Sequence, residues 1–200
     1  ISEAMNHVDY SVVVIEGNTI RLTDPAAELD VGGIAKGYIA DKVAEFLESK
    51  GVTSAVVDLG GNIVVIGEKG ESIDNPVGTE FKVGIADPNS EGLLGLLECK
   101  DKTVVTSGTY ERYFELDGKR YHHVLDTKTG YPADTDLLAV TIVSDKGHSV
   151  DCDGLSTSCL ALGKEKGLKL IQGLDGVQAI FIDKDGKVTK SDESLKLITQ

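Results

Sequence analysis

The sequence predicts an α+β fold: antiparallel β-hairpins forming a sheet packed with a few helices, in a single domain over residues 1–200. Three observations carry that expectation. Short β-branched runs recur in pairs about tight Gly, Asn and Asp turns, which is the pattern of hairpins. Helical periodicity is confined to a few segments, without the regular strand–helix alternation of a doubly wound sheet. Hydrophobic content of 40% over 200 residues suits one core, able to bury roughly 70% of the unfolded surface.

Taken in order, YSVVVIEGNTIRL (Tyr10 to Leu22) is two β-branched runs about Gly17-Asn18, a hairpin. LDVGGIAKGYIAD (Leu29 to Asp41) and the KVAEFLESKG that follows place Ile34, Tyr38, Val43, Phe46 and Leu47 at helical spacing, closed by Lys50 and Gly51. Gly32, Gly33 and Gly37 weaken that helix where it begins, and Lys36 puts a positive charge at the end the macrodipole already makes positive. Both choices make sense if backbone must approach an anion closely and Lys36 pairs with it. A plain glycine turn with a solvated lysine fits the same residues, and the spacing is not that of a Walker loop.

SAVVDLGGNIVVI (Ser54 to Ile66) reads as two buried strands broken at Gly60-Gly61-Asn62, a turn or a close backbone approach to a ligand. A polar loop from Gly67 to Gly78 precedes strands at Phe81 to Ala86 and Leu93 to Lys100. VVTSGTYERYF (Val104 to Phe114) ends one strand and opens another, which turns at Asp117-Gly118 into KRYHHVLD. His122 and His123 therefore sit on a strand end and face opposite sides, so at most one points into a site. DTKTGYP (Asp126 to Pro132) is a loop and Leu138 to Ser144 a strand. Lys164 to Leu174 is a short helix, Gln178 to Lys190 a hairpin on Asp185-Gly186, and Asp192 to Thr199 a helical tail. DKDGK resembles the start of a calcium loop, but the twelfth position from Asp183 is Ser194 rather than a bidentate Glu, so it is a turn.

DCDGLSTSCLALG (Asp151 to Gly163) reads as a helix N-terminus in which Asp153 caps the first-turn amides. Asp153 and Thr157, four apart and so on one face, also offer two hard oxygens to a cation such as Mg²⁺. Spacing leaves both readings open.

A net charge of −13 argues against a nucleic-acid or anionic-membrane surface, either of which needs a basic patch. An anionic ligand would need local help from a cation, helix amides or placed lysines. Cys99, Cys152 and Cys159 form no C-x-x-C pair and read as free buried thiols that leave the compartment open. The sequence opens at Ile1 without an initiator Met, and no apolar run reaches transmembrane length.

Five of these segments, in order, resemble motifs of the ApbE family of flavin transferases: LDVGGIAKGYIAD, VDLGGNI, TSGTYERYF, YHHVLDTKTGYP and CDGLSTSCLALG. The resemblance implies a Mg²⁺-dependent FAD:protein FMN transferase, which cleaves the FAD pyrophosphate, attaches FMN through a phosphoester to a Thr or Ser of an acceptor protein and releases AMP. It implies Asp153, Thr157 and the Ala35 carbonyl as metal ligands and His123 as the catalytic histidine; His122 is not carried over. His123 would accept the acceptor hydroxyl proton or stabilise the leaving phosphate, and Asp126 would orient the loop or the metal's water shell. Gly33 and Lys36 would belong to the anion cradle, and Ser107, Gly108, Tyr110 and the Gly60-Gly61-Asn62 turn are expected as flavin or adenine contacts.

Cys152-Asp153-Gly154 stands where the family usually has Ala-Asp-Ala, and Asp126-Thr127 where it has Asp-Pro; neither removes an expected ligand. The family carries a substantial segment ahead of the first motif, with residues lining the flavin site, and this sequence reads as a short member or a trimmed chain without it. An FAD pyrophosphatase giving FMN and AMP, and a flavin-binding module without turnover, are the alternative expectations. The family's usual address is extracytoplasmic and membrane-associated, as a lipoprotein, with redox-complex subunits as acceptors.

Overall fold

The computed structural model describes residues 1–70 and 78–199. Among these residues it has four α-helices, α1 (Ser2–Met5), α2 (Ala35–Ser49), α3 (Ser149–Leu162) and α4 (Lys164–Gln172). Its twelve strands are β1 (Val13–Glu16), β2 (Thr19–Leu22), β3 (Ala55–Asp58), β4 (Asn62–Ile66), β5 (Phe81–Ala86), β6 (Leu93–Cys99), β7 (Lys102–Gly108), β8 (Tyr113–Leu116), β9 (Lys119–His122), β10 (Leu137–Asp145), β11 (Gln178–Asp183) and β12 (Val188–Lys190). Six of them form one antiparallel sheet in the order β12-β11-β10-β7-β4-β3, and β1–β2, β5–β6 and β8–β9 are separate hairpins. The α+β expectation holds. The middle of the expected Gly67–Gly78 loop, residues 71–77, lies outside the described residues.

Period-two alternation divides the sheet between two cores. Val65, Val104, Ala139, Ile180 and Ile182 face Val83, Ile85 and Leu97 of the β5–β6 hairpin, with Leu195 of the tail. Their neighbours Val105, Val140, Ile142 and Phe181 face Cys152, Cys159 and Leu160 of α3 and Ile171 of α4. Val57, Val64 and Ile66 pack against Ala40 and Ala44 of α2. The three cysteines are free and buried, and burial pushes the thiol of Cys152 up to about 12.

Three boundaries differ from the sequence expectation. Helix α2 begins at Ala35 rather than near Leu29, because the Asp30 carboxylate accepts the Gly32 amide at 2.6 Å and holds a turn through the glycines. The tail is not helical: Asp192 closes a turn by accepting the Ser194 amide, and Ile198 then bridges Leu96 at the edge of the β5–β6 hairpin. The segment gains more by burying Leu195 against the sheet than by closing one short helical turn.

The third correction concerns Asp153. Helix α3 starts at Ser149, so Asp153 sits in its second turn and cannot cap it. The cap comes from α2, where Asp41 accepts the Ser149 and Val150 amides, each at 3.1 Å. Asp153 in turn accepts the Gly37 amide of α2 at 2.9 Å. Each helix N-terminus is thus held by a carboxylate from the other helix. The approach needs glycine at 37, since a Cβ there would collide with the Ser149 carbonyl.

Asp41→Ala leaves two buried helix amides without an acceptor and is expected to cost about 1–3 kcal/mol. Urea unfolding reads this as a lower midpoint at unchanged slope, and Gly37→Ala should lower it as well by forcing the helices apart. Parent-like midpoints in both variants would show that the reciprocal capping contributes nothing.

Candidate functional site

The paired N-termini open onto a cleft of about 930 Å³. One wall is the turn entering α2, with Gly33, Ala35 and Lys36; another is the end of β7, with Ser107 and Gly108. Asp153 and Thr157 supply the floor from α3, and His123 stands at the exit of β9. Eight of the residues expected at the site are therefore brought together.

Asp153 is 3% exposed. Burial raises its carboxyl above the ordinary value, partly offset by the Gly37 amide and by the charge of Lys36. Its Oδ2 holds the Gly37 amide, and Oδ1 has no hydrogen-bond donor among the described residues. One turn on, proton counting fixes the role of Thr157. Ser156 Oγ donates to the Asp153 carbonyl at 2.9 Å, so the 2.8 Å bond between Ser107 and Ser156 uses the Ser107 proton. Thr157 must then donate to Ser107, at 3.3 Å, which leaves its oxygen lone pairs for the cleft.

Among the described residues no three His, Cys, Asp or Glu side chains converge as a metal cage. A carboxylate oxygen and a hydroxyl oxygen side by side, beside the main chain of Ala35, nevertheless suit a hard cation. Mg²⁺ in particular takes few protein ligands and completes its shell with water and phosphate oxygens. A buried, incompletely satisfied carboxylate is the group such a cation would neutralise.

His123 is exposed, and its Nδ1 lies 3.2 Å from the Arg112 carbonyl. A carbonyl only accepts, so Nδ1 carries the proton and Nε2 of the neutral ring has the free lone pair. His122 turns the other way, as strand alternation predicts: its Nε2 donates to the Ala133 carbonyl at 3.2 Å, and Nδ1 is buried without a partner.

Five expected site residues do not line the cleft. The Gly60 carbonyl accepts Lys36 Nζ at 3.0 Å, so the Gly60-Gly61 turn steers the lysine. Both glycines have positive φ, 74° and 79°, which explains their presence. Asn62 is buried and accepts the Ser149 hydroxyl at 2.6 Å, tying β4 to the start of α3. Tyr110 packs on the hairpin side of the sheet, where burial raises its phenol. Asp126 accepts the Lys128 amide at 2.9 Å and shapes the loop beyond His123. The structure adds Glu111 and Arg112 to the cleft. Arg112 was legible in the hairpin register, since the pairing of Tyr113 with His122 places Arg112 opposite His123.

The chain matches the ApbE family over residues 1–181. It is 42% identical over 189 residues to the FAD:protein FMN transferase of Treponema pallidum (strain Nichols), covering 92% of this chain and 52% of that protein. It is 40% identical over 183 residues to the enzyme of the same name from Klebsiella pneumoniae (strain 342), covering 90% and 54%. The crystal structure of the ApbE protein from Thermotoga maritima superposes with a TM-score of 0.85 at 31% identity, covering 100% of this chain and 62% of that one. The flavin transferase ApbE from Vibrio cholerae superposes with a TM-score of 0.78 at 27% identity, over 94% of this chain and 58% of that one. The chain spans about half the length of the curated relatives it matches, and on its motifs, fold and the family match across most of its length it belongs to the ApbE family.

Proposed function

We propose that the cleft transfers FMN from FAD to a Thr or Ser hydroxyl of an acceptor protein. The observation that carries this reading is the meeting, in one cleft, of a buried carboxylate with one oxygen left over from the Gly37 amide, the free lone pairs of Thr157, the amino group of Lys36 and an imidazole with Nε2 open. The names of the relatives support the same reaction. The acceptor oxygen forms a bond to the FMN phosphorus, the bridging P–O bond of the pyrophosphate breaks, AMP leaves with the bonding pair, and the hydroxyl proton passes to Nε2 of His123. Arg112 fixes the tautomer through its carbonyl. Lys36, steered by Gly60, sets a positive charge beside the pyrophosphate. Asp153, Thr157 and the Ala35 carbonyl would hold Mg²⁺, whose contribution is to neutralise charge on the pyrophosphate oxygens. Hydrolysis of FAD by water is the competing reaction, favoured by the exposure of His123 at the open side of the cleft.

The chain incubated with FAD, Mg²⁺ and a Thr-bearing acceptor protein is expected to add the mass of FMN to the acceptor and release equal AMP. AMP without acceptor modification would point to hydrolysis, and retained FAD with neither product would overturn both reactions. His123→Ala should lower turnover by about 10²–10⁴-fold while FAD affinity stays close to the parent; equal losses in both would remove the proton-accepting role.

The raised carboxyl of Asp153 gives a second test. The folded state binds this proton more tightly than the unfolded state does, so stability falls as pH rises from the ordinary carboxylate value of 3.8 through the raised one, and stays lost above it. Asp153→Asn keeps an acceptor for Gly37 and removes the buried charge. In metal-free buffer at pH 7 it should melt higher than the parent and be inactive, and Mg²⁺ should raise the melting temperature of the parent alone. A lower Tm for the variant, or an equal Mg²⁺ response in both proteins, would argue against a cation at Asp153.

A further inference from the structure

Behind the cleft lies a second pocket, of about 480 Å³, formed by the reverse side of the same segments. His122 lines it where His123 lines the cleft, and Thr109 where Gly108 does. Two cations stand beside it, Arg120 on β9 and Lys184 on the turn between β11 and β12, while Lys119 at the rim holds its ammonium 5.4 Å from the Tyr121 ring centroid. The acidic lining residue, Asp134, points fully into solvent, 3.8 Å from Lys184 Nζ. Arg120 is stacked 4.0 Å over the Tyr113 ring and lies 3.5 Å from Glu115, which pre-orients its planar fork. Such a gathering of cations opposes the field of a chain with net charge −13.

With Nε2 of His122 donating to Ala133, its Nδ1 is a buried acceptor without a donor among the described residues. Burial lowers this histidine below the ordinary value, offset in part by its backbone hydrogen bonds to Ala133 and Val124, while the charges of His123 and Lys184 push it further down. Tyr131, Pro132 and Leu137 supply an apolar wall beside the cations, so the pocket pairs a charged side with a surface for a ring.

We propose that this pocket is a second ligand site, separate from the FAD cleft, which takes a small phosphate monoester of about nucleotide size. A lysine point charge and an arginine fork suit a phosphate dianion better than a single carboxylate. Because His122 and His123 are adjacent, occupancy is felt next to the reacting side chain. The inference does not depend on the chemistry proposed for the cleft.

The test uses the 200-residue chain without Mg²⁺, with AMP, adenosine and inorganic phosphate as calorimetric probes. AMP is expected to bind saturably and shift the imidazole ¹⁵N signals of His122, with adenosine and phosphate each weaker. Arg120→Gln/Lys184→Gln, at exposed positions where folding is not at stake, should weaken AMP by about tenfold or more. Lys36→Gln, in the cleft, should leave the His122 shift in place. No saturable AMP binding, a His122 response lost with Lys36→Gln and kept in the double variant, or adenosine binding as well as AMP would each overturn the second site.

Discussion

The structure depends on two helices that cap one another. Asp41 of α2 takes the first two amides of α3, and Asp153 of α3 takes the third-position amide of α2. Neither helix carries a capping side chain of its own at its first residue. Both carboxylates are buried, at 6% and 3% exposure, so neither can exchange its amide for water cheaply. The separation between the glycine turn before α2 and the inner face of α3 is therefore fixed by hydrogen bonds made inside the wall of the cleft. The two capping groups are unequal. Asp41 spends both oxygens on amides, whereas Asp153 spends one and presents the other to the cleft. That asymmetry separates a structural carboxylate from one available for chemistry.

Charge follows the same economy of placement. The whole chain repels an anion, so attraction has to be local. The Ala35 and Gly37 amides of α2 are already taken, by the Val31 carbonyl and by Asp153, and Lys36, the second residue of the helix, adds its charge against the dipole. What tolerates that unfavourable charge is the Gly60 carbonyl, which holds the ammonium 3.0 Å away on the β3–β4 turn. The Gly60-Gly61 turn thus bears on the site through Lys36. It belongs to the support of Lys36, as Asn62 belongs to the support of α3 through Ser149.

These supports explain what was legible in the sequence. Hairpins were readable because their turns are local: Gly17, Gly118 and Gly186 all have positive φ and sit between alternating runs. The residues that converge on the cleft were readable as unusual segments, each departing from what its own helix or strand would prefer. Partners distant in sequence were not readable. Nothing within α3 tells that its cap is Asp41, 108 residues away, or that Asp153 serves a different helix. The tail failed for a related reason, since its apolar spacing suits a helix but its contacts with the sheet favour an extended course. Tyr110 lies between two cleft segments in sequence and still faces the other core.

The assignment of the two histidines is the sharpest case of local geometry setting chemistry. Asp117 and Gly118 both have positive φ, 51° and 74°, which makes the β8–β9 connection a two-residue turn of the type that matches strand twist. That turn fixes Tyr113 opposite His122, and therefore Arg112 opposite His123. A slip of one residue would exchange the faces of the two histidines, sending His122 to the cleft and His123 to the pocket behind it. It would also take the Arg112 carbonyl from His123 Nδ1 and with it the constraint that leaves Nε2 unprotonated. Which imidazole faces the carboxylate of Asp153, and with which tautomer, is thus decided by a turn five residues before His123.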